Sequence, residues 1–504
     1  MSRGWWVWGM GFGLVLATSV ARGTVIVPMS DEDLVATSDL VVVGTVERVA
    51  SVLLGTNRVM TRVTIAVEQA VKGDPGGPSV VVTDAGGDVA GIRSVVFGAP
   101  SYAQGERALV FLRARRDGSL TTNSLALGKY AILAARDGVP IARRAGPTVD
   151  ARPLATLVAR VGELARAGTG ARTDGRSGIG IEPPTFLSEA FTLSTDDAGI
   201  GARWFEADCG LPITFDRAGA DPAFDDGVSA SALAAGTAAW TGAPDASITL
   251  LAGSVVPAAP SGVGGTLDGD NVVMFGDPFG DVPNLANCTG VLAIGGVFSA
   301  SSTEISELQR IVNGTIFGKA FEGDVVLNPE VGMCLADAVG LAEVVGHELG
   351  HAIGFGHSSE NPAETDPVKL DALMYFSAHD DGRGARLGQD DIDAADFAYP
   401  ASLLPATPVA EAACEVALGL LTVDCTGSIS TVPFRKMRKA VQAARQAAGA
   451  GAPGKQKKLL RKTLRLLGAT DKAVGRLVTG TCAQGMHDHI ARYRQQVGAL
   501  LATL

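Results

Sequence analysis

The stretch Glu343–Ser359, EVVGHELGHAIGFGHSS, decides how the rest of the chain is read. Three of the chain's 6 histidines fall inside it, at His347, His351 and His357. On a helix, residues four apart lie above one another on one face, so His347 and His351 can aim their imidazoles at one point. Gly354, three residues further on, suits the positive φ that ends a helix, and a sharp turn there returns His357 as a third ligand. Three nitrogens at about 2.0–2.1 Å from zinc leave the fourth tetrahedral position open, the arrangement of a catalytic rather than a structural ion. Glu348 is offset around the helix from the ligand face, beside that open position. Zinc lowers the pKa of water from about 15.7 toward about 7, and a carboxylate within reach takes the proton and later hands it to a leaving amine. Peptide hydrolysis is the chemistry such a set serves.

Two histidines at this spacing can be ordinary helix-surface residues. The longer pattern is rarer: the chain's own His, Glu and Gly frequencies give it by chance below about one time in a hundred thousand.

The remaining composition sets bounds. A chain of 504 residues suggests about three domains. With 46% hydrophobic and 19% charged residues, it has a globular composition rather than a disordered one. Residues 1–21, MSRGWWVWGMGFGLVLATSVA, carry Arg3, an apolar core and then small residues before a cut after Ala21. That is the pattern of an export signal, with a membrane anchor as the alternative. No later apolar run reaches the roughly 20 residues of a spanning helix, so a secreted, soluble chain is expected. Export leads to an oxidising compartment, so Cys209, Cys288, Cys334, Cys414, Cys425 and Cys482 are expected in disulfides, and none of their spacings forms a CxxC pair. Many connectivities stay open, with Cys288–Cys334 preferred. The net charge of −11 is uneven: from Glu411 onward 15 Lys+Arg face 5 Asp+Glu, which makes +10 there and −21 elsewhere.

Along the chain, an α+β organisation is expected. Residues 24–160 hold short alternating runs such as DLVVVGTVERV, RVTIAVEQAV, RALVFLRARR and KYAILAA, which predict an all-β barrel or sandwich. This part resembles the OB-type barrels of netrin-like modules, with no motif residue to fix it. Residues 161–184 read as a Gly/Arg/Ser-rich linker closed by Pro183 and Pro184. In 185–400, LPITF, NVVMF, GVLAIGGVF and GDVVLNP read as strands, GVSASALAAGTAAWT as a helix, and Asp337 to Ile353 as the long helix of the histidines. Residues 401–411 read as a second linker, and 412–504 as a basic helical domain. Its basic face is read first as solvated surface and second as a contact for polyanions at a cell surface.

HELGHAIGFGH matches the H-E-x-x-H-x-x-G-x-x-H pattern of the metzincin metalloproteases, and its surroundings resemble the matrixin branch. GVLAIGGVF resembles the matrixin edge strand, DALMYF the Met-turn, and LGQDDIDAADFAYP the closing helix. The resemblance covers about 203–400 and implies a twisted sheet with the active-site helix beneath it and a cleft beside an antiparallel edge strand. It implies one catalytic zinc on His347, His351 and His357, Glu348 as general base, and Met374 as the Met-turn residue supporting the ligands. Val291, Leu292, Ala293 and Ile294, in an edge strand running to Phe298, would pair with the backbone of a protein or peptide substrate. Asp390 and Asp391 would brace the Met-turn and the mature N-terminus, or else serve as ordinary acidic charges at a helix start. Tyr375 would polarise substrate or simply pack.

Departures from the family pattern carry their own expectations. Ile294 and Val326 stand where matrixins keep histidines for a second, structural zinc, and His379 is the only spare histidine in the catalytic segment. One zinc is therefore expected. No cysteine precedes Cys209, so a propeptide thiolate cannot silence the site. The N-terminal domain is then either a steric or carboxylate inhibitor, or an unrelated binding module. Phe376 stands where matrixins commonly have proline, so substrate preference is not borrowed. The acidic run SAHDDGRGARLGQDD leaves calcium as a second candidate ion, although its carboxylates lack EF-hand spacing. GAGAPGKQ, residues 449–456, lacks the Ser/Thr and the preceding strand of a phosphate loop, and His487 and His489, two apart, diverge on a helix. No nucleic-acid partner is expected. The alternative to a peptidase is a secreted binding or adhesion protein with an inert zinc site.

Overall fold

The computed structural model describes residues 26–504 except 28, 56–57, 135–138, 145–149, 168–190, 197, 260, 264, 302–305, 362, 380, 419–431 and 479. The expected export signal, Cys425 and the 168–184 part of the expected first linker lie outside the described residues. The architecture is mixed α+β.

Runs of Val, Ile and Thr suit a pleated, half-buried surface, and the long N-terminal runs Leu40–Leu54 and Arg58–Lys72 pair antiparallel with each other. Arg107–Ala114 flanks the first and Ser79–Ala85 the second. Leu120–Thr122 pairs with both flanking strands, which closes these strands into a ring and removes open edges there. Val42, Val63, Ile65, Val82 and Val110 fill one apolar cluster. Val41, Val43, Leu109 and Phe111 point the opposite way, onto the helices Asp31–Thr37 and Leu154–Ala167.

These helices correct two readings. The N-terminal region is not all-β. The first linker also begins later than position 161, because Leu154, Leu157 and Val161 fall on one helical face and are buried against the sheet. Gly and Arg content alone hid that period.

The central sheet runs in the order Leu250–Val256, Ile213–Ala218, Val272–Phe275, Thr315–Leu327, Ala293–Ala300. The first four strands are parallel and the last is antiparallel to its neighbour. Parallel neighbours need a crossover, and the Ala-rich helix Asp226–Thr241, capped by the Asp225 carboxylate accepting from the Val228 N–H, supplies one. Helix Ala338–Ala352 packs beside it under the sheet. The Asp337 carboxylate accepts from the Val339 and Gly340 N–H groups at its start, and Gly354, at φ 103°, turns the chain after its end.

The sheet does not stop at Ala293–Ala300. Strands Ile92–Val96 and Gly87–Val89 of the N-terminal region continue it, and Ile26–Val27 pairs with Gly290–Val291. Residues 24–160 are thus joined by backbone pairing to 185–400 rather than standing apart. The partner of Ile92–Val96 lies some two hundred positions away, beyond any local pattern.

Among the described residues four helices follow: Pro408–Leu418, Val432–Ala448, Pro453–Leu477 and Gly480–Thr503. The first starts inside the stretch read as the second linker, since a proline is tolerated in a helix's first turn. Disulfide Cys209–Cys414 fastens it to the central region, and Cys288–Cys334 closes a second bridge. Val409, Val416, Phe434 and Met437 share one core cluster with Trp240 and Leu349, while Lys455, Lys458, Arg461 and Lys462 face solvent.

Candidate metal centre

Helix Ala338–Ala352 and the turn after it bring the three histidines together. His347 Nε2 lies 3.0 Å from His351 Nε2 and 3.0 Å from His357 Nε2. Each ring uses its other nitrogen on an oxygen: His347 Nδ1 on the Leu373 carbonyl at 2.7 Å, His351 Nδ1 on the Phe355 carbonyl at 2.8 Å, and His357 Nδ1 on Glu360 Oε1 at 2.8 Å. A nitrogen facing a carbonyl or carboxylate must donate, so in the neutral rings all three Nε2 atoms carry lone pairs turned toward one point. Adding a proton there is disfavoured: burial, then the neighbouring histidines, pushes His347 and His351 well below the ordinary imidazole range. Converging lone pairs on buried neutral imidazoles are the donor set zinc takes. Among the described residues this is the one group of three or more His, Cys, Asp or Glu side chains whose ligand atoms all lie within 4.8 Å of each other.

Glu348 is fully buried, with its carboxylate against the edge strand. A Cβ on Gly295 would fall 3.0 Å from Glu348 Oε2, 2.8 Å from His351 Cβ and 2.5 Å from the Glu348 carbonyl oxygen. Glycine there lets the strand lie directly on the helix, so the general base expected at Glu348 sits between histidines and edge.

Met374 packs under the helix. A Cβ on Gly350 would meet Met374 Sδ at 2.3 Å and Trp240 Cζ2 at 2.6 Å. Trp240 Nε1 donates to the Gly346 carbonyl at 2.8 Å and its ring stacks on Phe355. Asp391 secures the same turn: its carboxylate accepts from Leu373, Met374 and Gly388 N–H groups at 2.6, 3.0 and 2.7 Å. Leu373 in turn offers its carbonyl to His347, so one carboxylate orients the His347 ring through a single residue. Burial pushes Asp391 up to about 6 despite those three donors. Asp390 is also buried, with Oδ1 lacking a hydrogen-bond partner.

Of the residues expected to meet substrate, Val291 pairs with Ile26, and Leu292 accepts the Asn328 N–H. Ala293 and Ile294 lie opposite Leu327 and Val326. Ile294 and Val326 are therefore direct cross-strand partners, and both belong to an apolar cluster with Val96 and Met274. The Tyr375 hydroxyl donates to the Asn361 carbonyl at 3.1 Å, a contact that serves packing.

Other residues flagged in the sequence find structural roles. His379 Nδ1 donates to Glu343 Oε1 and Nε2 to the Leu370 carbonyl, both at 2.6 Å. Burial alone would depress this imidazole, but the two hydrogen bonds outweigh it and lift His379 above its ordinary value. In the acidic run weighed for calcium, Asp381 pairs with Arg383, while Arg383 and Arg386 both pair with Asp371 just outside the run. The 449–451 glycine turn joins two helices, with no strand before it. His487 bonds Asp471 and His489 stacks on Tyr493.

Three contributors escaped sequence reading: Glu360, Glu343 and Phe97. Phe97 stacks on His351 with ring centroids 4.0 Å apart and planes 15° apart. No family model matches this chain, and no curated protein matches it.

Proposed function

We propose that the protein is an exported zinc endopeptidase with a metzincin-like, matrixin-related catalytic region. The observation that carries this reading is the buried histidine trio, with His347 Nε2 3.0 Å from both His351 Nε2 and His357 Nε2, beside the Glu348 carboxylate. The helix under a sheet in which Ala293–Ala300 runs antiparallel to Thr315–Leu327 supports it, as does Met374 beneath the histidines.

His347, His351 and His357 would hold the ion. Zinc bound there would supply Lewis acidity, easing deprotonation of water and polarising a carbonyl. The protein's own residues do the rest. Leu373, Phe355 and Glu360 fix the tautomers and orientation of the ligand rings. Glu348 takes a proton from water as it attacks the scissile carbonyl and gives it to the departing amine, one residue acting as base and then acid. Strand Ala293–Ala300 would offer backbone groups for an extended peptide to add as a further strand once its present partner, Ile92–Val96, gives way. Glu348 also weighs against an inert binding site, because structural zinc needs no base beside an open position.

The test is hydrolysis of a mixed peptide library by zinc-loaded chain carrying the opening substitutions described below. Cleavage should stop with a chelator and fall about 100-fold or more with Glu348→Ala. Cleavage that survives Glu348→Ala unchanged would remove the mechanism.

A further inference from the structure

We infer that the N-terminal region is a built-in inhibitor: strand Ile92–Val96 and the Phe97 ring occupy the cleft that a peptide substrate would need. The inference rests on the peptidase reading of the histidine site. A strand edge has one row of free N–H and C=O groups and accepts one partner. In Ala293–Ala300, the edge facing away from Thr315–Leu327 is already filled. Val96 lies opposite Gly296, Val95 opposite Val297, Ser94 opposite Phe298, Arg93 opposite Ser299 and Ile92 opposite Ala300. The ladder extends at both ends, with Phe97 N–H donating to the Gly295 carbonyl and Ser301 N–H to the Gly91 carbonyl, each at 3.2 Å. Further along, Ile26 and Val27 take Val291 and Gly290.

At the zinc-facing end the cover is a side chain. Phe97 is 1% exposed and lies flat on His351. His347, Glu348, His351 and His357 are all 3% exposed or less, so a peptide carbonyl reaches them only after Phe97 has moved. Gly296 makes the intrusion sterically feasible, since a Cβ there would sit 2.8 Å from the Val95 carbonyl oxygen and 2.6 Å from Val263 Cγ1. Val96 buries among Ile294, Val263 and Val326, Arg93 Nη1 donates to the Ile200 carbonyl, and Arg113 Nη2 to the Gly280 carbonyl. With no cysteine before Cys209, the block is made by backbone pairing and an aromatic ring, not by a thiolate. Substrate and the Ile92–Phe97 segment are mutually exclusive ligands of one edge, and activity requires the segment to leave.

The test compares zinc-loaded full-length chain with Ser94→Pro/Phe97→Ala, which disrupts the added strand and removes the ring. Phe97→Ala alone serves as the milder variant. The probe is an apolar tripeptide ending in a hydroxamate, a zinc-chelating group. A site open only in a minor population binds more weakly by that fraction, so the double variant should bind the probe at least about tenfold more tightly, with Phe97→Ala between. In the unsubstituted chain, saturating probe should accelerate amide exchange at 92–97. Equal probe affinity in folded variant and parent, or unchanged protection at 92–97 with probe bound, would overturn the inference. Tighter probe binding without any peptide cleavage would uphold the strand's role and refute the peptidase reading instead.

Discussion

Gly350 and Gly498 both lie inside helices, and the same Gly→Ala substitution should have opposite effects at the two positions. Alanine favours a helix over glycine by about 1 kcal/mol. At Gly498 nothing lies within 4 Å of the added carbon, so most of that gain should appear as stability. At Gly350 the methyl would come within 2.3 Å of Met374 Sδ and 2.6 Å of Trp240 Cζ2. Both fall about 1 Å or more short of ordinary contact distances of about 3.5–4.0 Å. Met374 can change rotamer, but Trp240 is held by its bond to Gly346 and its stack on Phe355. Overpacking of this kind costs about 1–3 kcal/mol, and two overlaps against a fixed ring belong at the upper end. The net for Gly350→Ala is a loss of about 2 kcal/mol after the helical gain is subtracted. Urea unfolding of metal-free chain, followed by tryptophan fluorescence, measures both variants against the parent. A Gly350→Ala midpoint at or above the parent's would refute the close packing of Met374 and Trp240 under the histidine helix.

Replacing Asp391 by Asn puts an NH2 group where a carboxylate oxygen meets backbone N–H donors. This should destabilise by about 1–3 kcal/mol and weaken zinc binding about 10–100-fold through the Leu373 carbonyl, read by competition with a chelating dye; unaltered affinity would break that chain of contacts. His379 is raised in the folded state, so its contribution is complete below its ordinary value near 6.5 and is lost as pH rises through the higher folded value. The difference in thermal midpoint between parent and His379→Gln should therefore be largest below its ordinary value near 6.5 and shrink as pH rises above it, whereas a difference growing with pH would contradict the Glu343 pairing. Cys209 and Cys414 are 205 residues apart, so removing that bridge with serines should release about 5 kcal/mol of chain constraint. A thermal scan without reductant that shows no loss would mean the helical tail is held by its apolar contacts alone.

The histidine site was legible because its geometry is local. Helix period places His347 over His351, and Gly354 takes the positive φ that returns His357, with Asp337 capping the start. Met374 and Asp391 were named only through family resemblance, and the tight fit of Gly350 on Met374 is set by tertiary packing. Glu360 could have been suspected from its position three residues after His357. Phe97 could not: IRSVVF reads as one more strand, and its pairing with Gly295–Ala300 is a matter of tertiary assembly. The linker limits slipped for a different reason. Gly, Arg and Pro content outweighed the helical spacing of Leu154, Leu157 and Val161, and the stretch 401–411, read as a linker, holds Pro408 where a helix begins.

The account turns on whether three imidazoles share one divalent ion. Full-length chain dialysed against zinc and then against metal-free buffer should retain one zinc per molecule by elemental analysis. His351→Ala, which removes one of three protein ligands, should retain almost none. Parent chain that emerges without zinc, or a His351→Ala chain that holds as much as the parent, would contradict the central claim directly.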